Sequence, residues 1–246
     1  MFSRFIPTFN PMSMNLLKEM GDGLMHLFYP RLCDGCGKPL TGTEQVLCVG
    51  CCMELPETDY HHIPDNESAT RFAGRVPFIH ATSYAYFSAD GLLQHLLHGL
   101  KYRHRKDIGY FLGRRFGLAL RDTAWIKDID LIIPVPLHKA KQASRGYNQS
   151  MLIAAGMSDV LGIPANGELL HRVRQTETQT NKTRIERVNN MSNAFEVPDL
   201  LSLCGKHVLL CDDMLTTGAT MEACAQALLQ ADNLKISLAT IGIAVA

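Results

Sequence analysis

Residues 208–220 read Val-Leu-Leu-Cys-Asp-Asp-Met-Leu-Thr-Thr-Gly-Ala-Thr. Four apolar residues predict a buried strand over 208–211. Asp212 and Asp213 then sit at its carboxyl end, where open parallel sheets bind ligands. The next turn, running to Thr220, is small and hydroxyl-rich and leads into a helix. Ala219, Ala223 and Ala227, with Cys224 and Leu228, line one face of that helix. Backbone amides in such a turn converge on one spot, and the helix N-terminus adds partial positive charge. Gly218 permits close approach of backbone to ligand. The arrangement suits a phosphate monoester. Two carboxylates repel phosphate, so Asp212 and Asp213 suit neutral hydroxyls beside it, or a Mg²⁺ ion. A phosphate cradle next to a hydroxyl-binding acid pair describes a ribose 5-phosphate. The plainer reading is a helix N-cap by Thr216 or Thr217 beside an incidental Asp-Asp turn.

Outward from this stretch, the pattern is strand and helix in alternation. A strand is expected over 79–87, from its aromatic and β-branched content. Residues 92–120 read as mostly helical, with a basic break at Lys101-Tyr102-Arg103-His104-Arg105-Lys106. A short buried strand over 131–136 is stopped by Pro134 and Pro136. A helix over 148–161, a strand over 168–173 and a closing strand over 236–245 follow. The segment 174–193 is polar, with little periodicity, and reads as an excursion that either closes over the site or stands as an exposed basic loop. The order implies a parallel sheet flanked by helices on both faces. Upstream, 16–28 carries apolar residues at helical spacing. Residues 56–74 are polar and read as a linker or exposed loop. No internal repeat is apparent.

Hydrophobic residues make up 46% of the 246 and charged residues 20%, which fits a globular chain of one large domain, or one medium domain with an appendage. Lysine plus arginine equals aspartate plus glutamate, 24 each. Zero net charge gives no global drive toward a polyanion or a membrane surface, so any such partner must use a local patch. Three basic clusters offer one: Lys101, Arg103, Arg105 and Lys106; Lys139, Lys141 and Arg145; and Arg172, Arg174, Lys182, Arg184 and Arg187. Tyr102 and Tyr147 lie among the first two, and rings beside cations suit single-stranded nucleic acid. Solvated surface is the plainer reading. No apolar run is long enough to span a bilayer, and residues 1–10 lack a secretory pattern, so membrane insertion is not expected and the cytoplasm is.

Five of the eight cysteines fall between Cys33 and Cys52. The spacing is Cys33-x-x-Cys36, eleven residues, then Cys48-x-x-Cys51. Each Cys-x-x-Cys turns tightly enough for both thiolates to face one metal, and two such turns complete a four-sulfur tetrahedral shell. A structural Zn²⁺ in a small ribbon is expected, since four cysteines leave no open position for substrate. Cys52 is surplus, because only Cys51 keeps the spacing. His61 and His62 read as solvated loop residues rather than ligands.

The stretch 208–220 resembles the phosphoribosyl pyrophosphate (PRPP) motif of type I phosphoribosyltransferases, and the chain from about Leu24 onward resembles the ComF family, associated with DNA uptake in competent bacteria. The likeness is carried by the paired Cys-x-x-Cys motifs, by Leu100-Lys101-Tyr102-Arg103, and by Pro134-Val135-Pro136-Leu137 followed by Arg145-Gly146-Tyr147-Asn148-Gln149. Gln179, Arg187, Asn190 and Ala194-Phe195 add to it. Thr178 and Lys182 depart from the pattern. The resemblance implies a type I phosphoribosyltransferase-like domain over 91–246, a linker and first strand over 59–90, a zinc ribbon over 30–58 and a helix over 1–29. It implies that Asp212 and Asp213 bind the ribose hydroxyls, that Thr216, Thr217, Gly218, Ala219 and Thr220 hold the 5-phosphate, and that Arg145 faces the pyrophosphate, with Mg²⁺ bridging the ligand's oxygens. Departure of pyrophosphate leaves positive charge on the sugar, which carboxylates stabilise while cations hold the leaving group. Two functions follow. One is a phosphoribosyltransferase acting on an acceptor not legible in the chain, since no segment reads as a nucleobase-binding hood. The other is a non-enzymatic PRPP or nucleotide sensor, or a single-stranded-DNA adaptor docking proteins of the uptake machinery.

Overall fold

A computed structural model describes residues 30–173 and 194–244. The helix expected over 16–28 and the excursion 174–193 lie outside them. The chain divides into two compact units, Met1–Met53 and Glu54–Ala246.

In the first unit, Leu32 bridges antiparallel to Pro39, and the helix α1 (Val49–Met53) starts just after Cys48 and carries Cys51. Val46 and Leu47 are buried. Among the described residues of this unit, so small an apolar core needs a staple.

The second unit is built on a four-stranded, all-parallel sheet in the order β1-β6-β5-β2. Strand β1 spans Ala81–Phe87. Helices α3 (Leu92–Tyr102) and α4 (Lys106–Arg121) follow, broken where the basic run predicts. Next come β2 (Leu131–Pro134), α5 (Lys139–Arg145) and α6 (Gln149–Leu161). A two-residue antiparallel pair, β3 (His171–Arg172) with β4 (Phe195–Glu196), stands apart from the sheet. Strand β5 (His207–Leu215), helix α7 (Ala219–Leu228) and strand β6 (Lys235–Ala244) complete it. The alternation of β and α is the one that puts helices on both faces. Val208, Leu210 and Leu238 pack with Cys224, Leu228 and Phe72 on one face. On the other, α4 and α6 cross closely, because each brings a glycine: a Cβ at Gly113 would overlap the Ile153 carbonyl, and one at Gly156 the Tyr110 carbonyl.

Both sheet edges are covered. Outside β1, Thr58 N donates to Tyr84 O at 3.0 Å and Tyr86 N to Pro56 O at 2.8 Å. Outside β2, Ile132 N donates to Pro164 O at 2.9 Å and Asn166 N to Ile132 O at 3.0 Å. Unpaired edges invite pairing with other chains, and these two strips remove them.

Three expectations are corrected. The strand over 168–173 is not part of the parallel sheet; its polar His171 and Arg172 could not be buried on both faces as such a strand requires. The strand 208–211 extends to Leu215, so the acids lie within it. The polar stretch 56–74 is not a linker. It holds the helix α2 (Glu67–Phe72), with Phe72 fully buried, and belongs to the larger unit. Its polar groups are spent internally: the buried Asn66 amide donates to Ile63 O at 2.6 Å and Ala81 O at 2.8 Å, while its oxygen caps α2 at Ala69 N. A polar side chain satisfying backbone reads in sequence like one facing water.

Candidate functional site: an acid pair and a threonine turn at the carboxyl end of the sheet

Strand β2 ends at Pro134, opposite Cys211. Strand β5 runs on to Leu215, still paired to β6 as far as Ile243. Beyond Cys211, therefore, β5 is open on the β2 side, and Asp212 is the first residue past the last pair. The Pro134 and Pro136 ring structures, which cannot extend a ladder, make this opening.

Neighbouring elements reach into it. Asn148, at the start of α6, donates to Val135 O at 3.0 Å and caps its own helix at Ser150 N. That fixes Ser150, whose hydroxyl donates to Asp212 Oδ1 at 2.8 Å. The Asp213 amide donates to the same oxygen at 2.8 Å. Asp213 is buried, and its Oδ2 lies 2.9 Å from Lys101 Nζ at the end of α3. That contact is an ion pair without hydrogen-bond alignment, and Oδ2 has no hydrogen-bond partner. Burial, and then the adjacent Asp213 charge, push Asp212 up to about 7 against the pull of Ser150 and Lys101. Asp212 is therefore partly protonated near neutrality, and a cation or a donor hydroxyl arriving at Asp213 Oδ2 meets an acceptor short of partners.

The turn after β5 is held from behind. Arg71, on α2, donates through Nη1 to Leu215 O at 3.2 Å and Thr216 O at 2.7 Å, and through Nη2 to Ala244 O. Arg75 donates to Thr217 O at 2.6 Å and pairs with Glu222. Turn carbonyls are thus claimed by guanidinium groups. Thr216 and Thr217 are exposed. Gly218 has φ +76°, and a Cβ there would lie 2.8 Å from the Phe72 ring, so only glycine fits. It is also the N-cap of α7, which has no side-chain cap; Thr217 Oγ1 stands 3.5 Å from Ala219 N. The N-cap position thus falls to Gly218 rather than to either threonine, with Thr217 Oγ1 accepting from Ala219 N at the long limit of a hydrogen bond. By contrast, α2 and α6 are capped by asparagines.

Arg145, at the end of α5, donates to Gln149 Oε1 at 2.6 Å, and its guanidinium lies 5.9 Å from the Tyr102 ring centre. It is tied to the α6 start that supplies Ser150. The first basic cluster is largely engaged: Lys101 pairs with Asp213, Arg105 with Asp107, and Lys106 sits over the Tyr147 ring. Tyr147 is buried, its hydroxyl donating to Leu100 O, so it offers no stacking face. Sequence reading missed Lys101's role at the acids, and missed Ser150, Arg71 and Arg75. The only signal for Arg71 was its four-residue spacing from Glu67 on a helix not foreseen.

In the first unit, Cys33, Cys36, Cys48 and Cys51 bring four sulfurs within 4.8 Å of one another. Cys36 Sγ and Cys48 Sγ are 3.7 Å apart, the edge expected of a tetrahedron with metal–sulfur bonds of about 2.3 Å. Burial disfavours charge on Cys33, but the amides of Cys36, Cys48 and Gly35 outweigh it and pull its thiol down to about 6. Burial and the neighbouring sulfurs push Cys51 the other way. Four sulfurs so close would need a cation among them to ionise together. The donor set fits a structural zinc. Cys52 stands outside the cluster, and neither His61 nor His62 joins it.

Among the described residues, no helix is long and apolar enough to cross a membrane. Residues 147–245 match the phosphoribosyl transferase domain family. The chain is 32% identical to the DNA utilization protein YhgH of Shigella flexneri over 202 residues, 81% of this chain and 84% of that protein. It is 35% identical over 130 residues to Competence protein F of Haemophilus influenzae, covering 51% of this chain and 57% of that one. It is 32% identical over 100 residues to Competence protein ComFC of Bacillus subtilis, covering 41% and 38%. With the four-cysteine unit ahead of a parallel sheet that carries the phosphoribosyl transferase match, and with likeness to YhgH over four fifths of both sequences, this chain belongs to the ComF family.

Proposed function

We propose that this protein binds PRPP with Mg²⁺ at the carboxyl end of β5, and serves DNA uptake or utilization as its relatives' names suggest. Asp212 and Asp213 take the ribose hydroxyls. The amides and hydroxyls of Thr216, Thr217, Gly218, Ala219 and Thr220 take the 5-phosphate, and Arg145 faces the pyrophosphate. Bound Mg²⁺ would supply charge neutralisation for the pyrophosphate leaving group. The observation that carries this reading is the uncapped α7 start beside an acid pair whose buried Asp213 oxygen has only a lysine for company. A helix N-terminus attracts phosphate through its amides, Ala219 N being held only by Thr217 Oγ1 at 3.5 Å, and Arg71 and Arg75 turn the repelling carbonyls away. Lys101 has to release Asp213, or share it, when hydroxyls arrive. The four-cysteine unit holds zinc as a structural staple, and the protein works in the cytoplasm.

Binding is favoured over transfer as the core activity. The crevice accounts for a sugar phosphate, while nothing in the described residues distinguishes an acceptor. The test is thermal stability with PRPP and MgCl₂. Ligand at a hundred times its Kd should add about 2.7 kcal/mol, and Asp212→Asn with Asp213→Asn should abolish the gain. No stabilisation at millimolar PRPP overturns the reading. Release of pyrophosphate with a pool of bases and amines, above the rate without them, would make the protein a transferase.

A further inference from the structure

The cations around the crevice differ in how they are held. Arg71 reaches three carbonyls, those of Leu215, Thr216 and Ala244. Arg75 divides itself between Thr217 O and Glu222. Arg145 donates to Gln149. Among the described residues, the Lys101 ammonium touches Asp213 alone, at 2.9 Å and without hydrogen-bond alignment. A guanidinium forked to several acceptors is fixed in place. An ammonium on a flexible four-carbon stem is a movable point charge.

The backbone under Lys101 is anchored. Leu100 is fully buried, and its carbonyl accepts from the Tyr147 hydroxyl. Arg103 N closes the helix on Gly99 O at 3.0 Å. Any exchange at Asp213 is therefore a side-chain motion. Lys101 is the penultimate residue of α3. The carbonyls of a helix end carry partial negative charge, so a displaced ammonium has a second place to rest.

The two acids are unequally committed. Asp212 Oδ1 already accepts from Ser150 Oγ and Asp213 N. Asp213 is 5% exposed, and its Oδ2 has the lysine for company but no hydrogen bond. A carboxylate so deeply buried is costly without a counter-ion, and Lys101 supplies one while no ligand is bound. The same ammonium repels a second cation at that oxygen. Mg²⁺ sheds its waters reluctantly and is ordinarily held by one or two carboxylates together with ligand phosphates. The acid pair with its lysine is therefore a poor site for the free ion.

We propose that Lys101 is a positioning residue that stands in for a divalent cation. It keeps Asp213 neutralised and free metal off the acid pair, and it yields the carboxylate to a ligand that brings hydroxyls and a cation of its own. This deepens the PRPP reading and rests on it for the identity of that ligand, but not for the exclusion of free metal.

The test uses Mn²⁺ alone, its bound fraction read by electron paramagnetic resonance on the zinc-loaded full chain. Without PRPP, the wild-type protein should take up Mn²⁺ weakly. Lys101→Met keeps the apolar stem and removes the charge, and should tighten Mn²⁺ by about tenfold or more. Lys101→Gln is neutral but can still donate to Asp213. It should tighten Mn²⁺ as well, and it answers the question if the methionine variant folds poorly. Lys101→Arg should keep metal off as the wild type does. Adding Asp213→Asn to either neutral variant should remove the gain. With MgCl₂ present, PRPP should bind Lys101→Met at least as tightly as it binds wild type. A lysine with a structural role only would lower the melting temperature of the neutral variants and leave their Mn²⁺ affinity unmoved, which overturns the proposal. A gain that survives Asp213→Asn overturns it too. So does PRPP binding weakened about tenfold in Lys101→Met, which would make the lysine a direct ligand of the sugar phosphate. If the neutral variants gain Mn²⁺ while wild type ignores PRPP, the PRPP reading falls and this one stands.

Discussion

The four-cysteine unit and the β5 crevice place their chemistry in opposite ways. Every candidate ligand of the first comes from residues 33–51, and the amides that pull Cys33 down come from the same stretch. The crevice draws its partners from afar: Lys101 to Asp213, Ser150 to Asp212, and Arg71 to the carbonyls of Leu215 and Thr216, which stand more than a hundred residues away. A local site is specified by spacing, because turn geometry alone aims the thiolates. A site at the end of a parallel sheet is specified by where strands stop and which helices cover them.

The comparison can be broken most forcefully at the cysteines. Cys33→Ser with Cys51→Ser should lose the metal and unfold the first unit, since structural zinc contributes about 10–16 kcal/mol of binding free energy. Elemental analysis reads the metal, and the main melting transition of the 54–246 unit should survive. Metal retained by the double variant would show that the sulfurs are not its ligands. On the crevice side, Arg71→Met removes the hydrogen bonds that hold the turn. It should cost about 2 kcal/mol and weaken PRPP about tenfold, and Arg71→Lys should not restore either, because an ammonium cannot fork to several carbonyls. Unchanged affinity would make Arg71 a scaffold residue only.

A smaller effect concerns pH. Asp212 sits near 7, above its ordinary 3.8, so the folded chain binds more protons than the unfolded one between those values. Stability must then fall as pH rises through that window. Asp212→Asn should flatten the fall and be the more stable form at pH 8, by on the order of 1 kcal/mol. A parallel pH curve in the variant would place the titration elsewhere. Smallest of all is Cys52→Ser. Cys52 is outside the sulfur cluster, so zinc content should stay the same and stability should move by less than about 0.5 kcal/mol. Loss of zinc there would reopen the choice between Cys51 and Cys52.

Legibility followed the same division. The run of apolar residues at 208–211, the Gly218 turn and the alanine-lined helix behind it appear in the structure much as the residues imply. The strand's true end did not, because Met214 and Leu215 gain their pairing from Gly242 and Ile243. Residues 168–173 had strand-like content, but only the small antiparallel pair with Phe195 and Glu196 uses it. The stretch 56–74 was misjudged because Asn66 is spent on backbone carbonyls, which no composition reveals.

By itself the sequence determined the local matters: four cysteines at metal-binding spacing, a parallel sheet from alternating strands and helices, and an acid pair followed by a hydroxyl-rich turn. These rest on contacts within a few residues or on a repeating pattern. Tertiary structure alone decided that β5 outruns β2 beside Asp212, that Lys101 and Ser150 divide the two acids between them, and that Arg71 and Arg75 hold the turn from behind. Each of these joins residues distant in the chain, and such pairings follow from packing, which one sequence read locally does not contain.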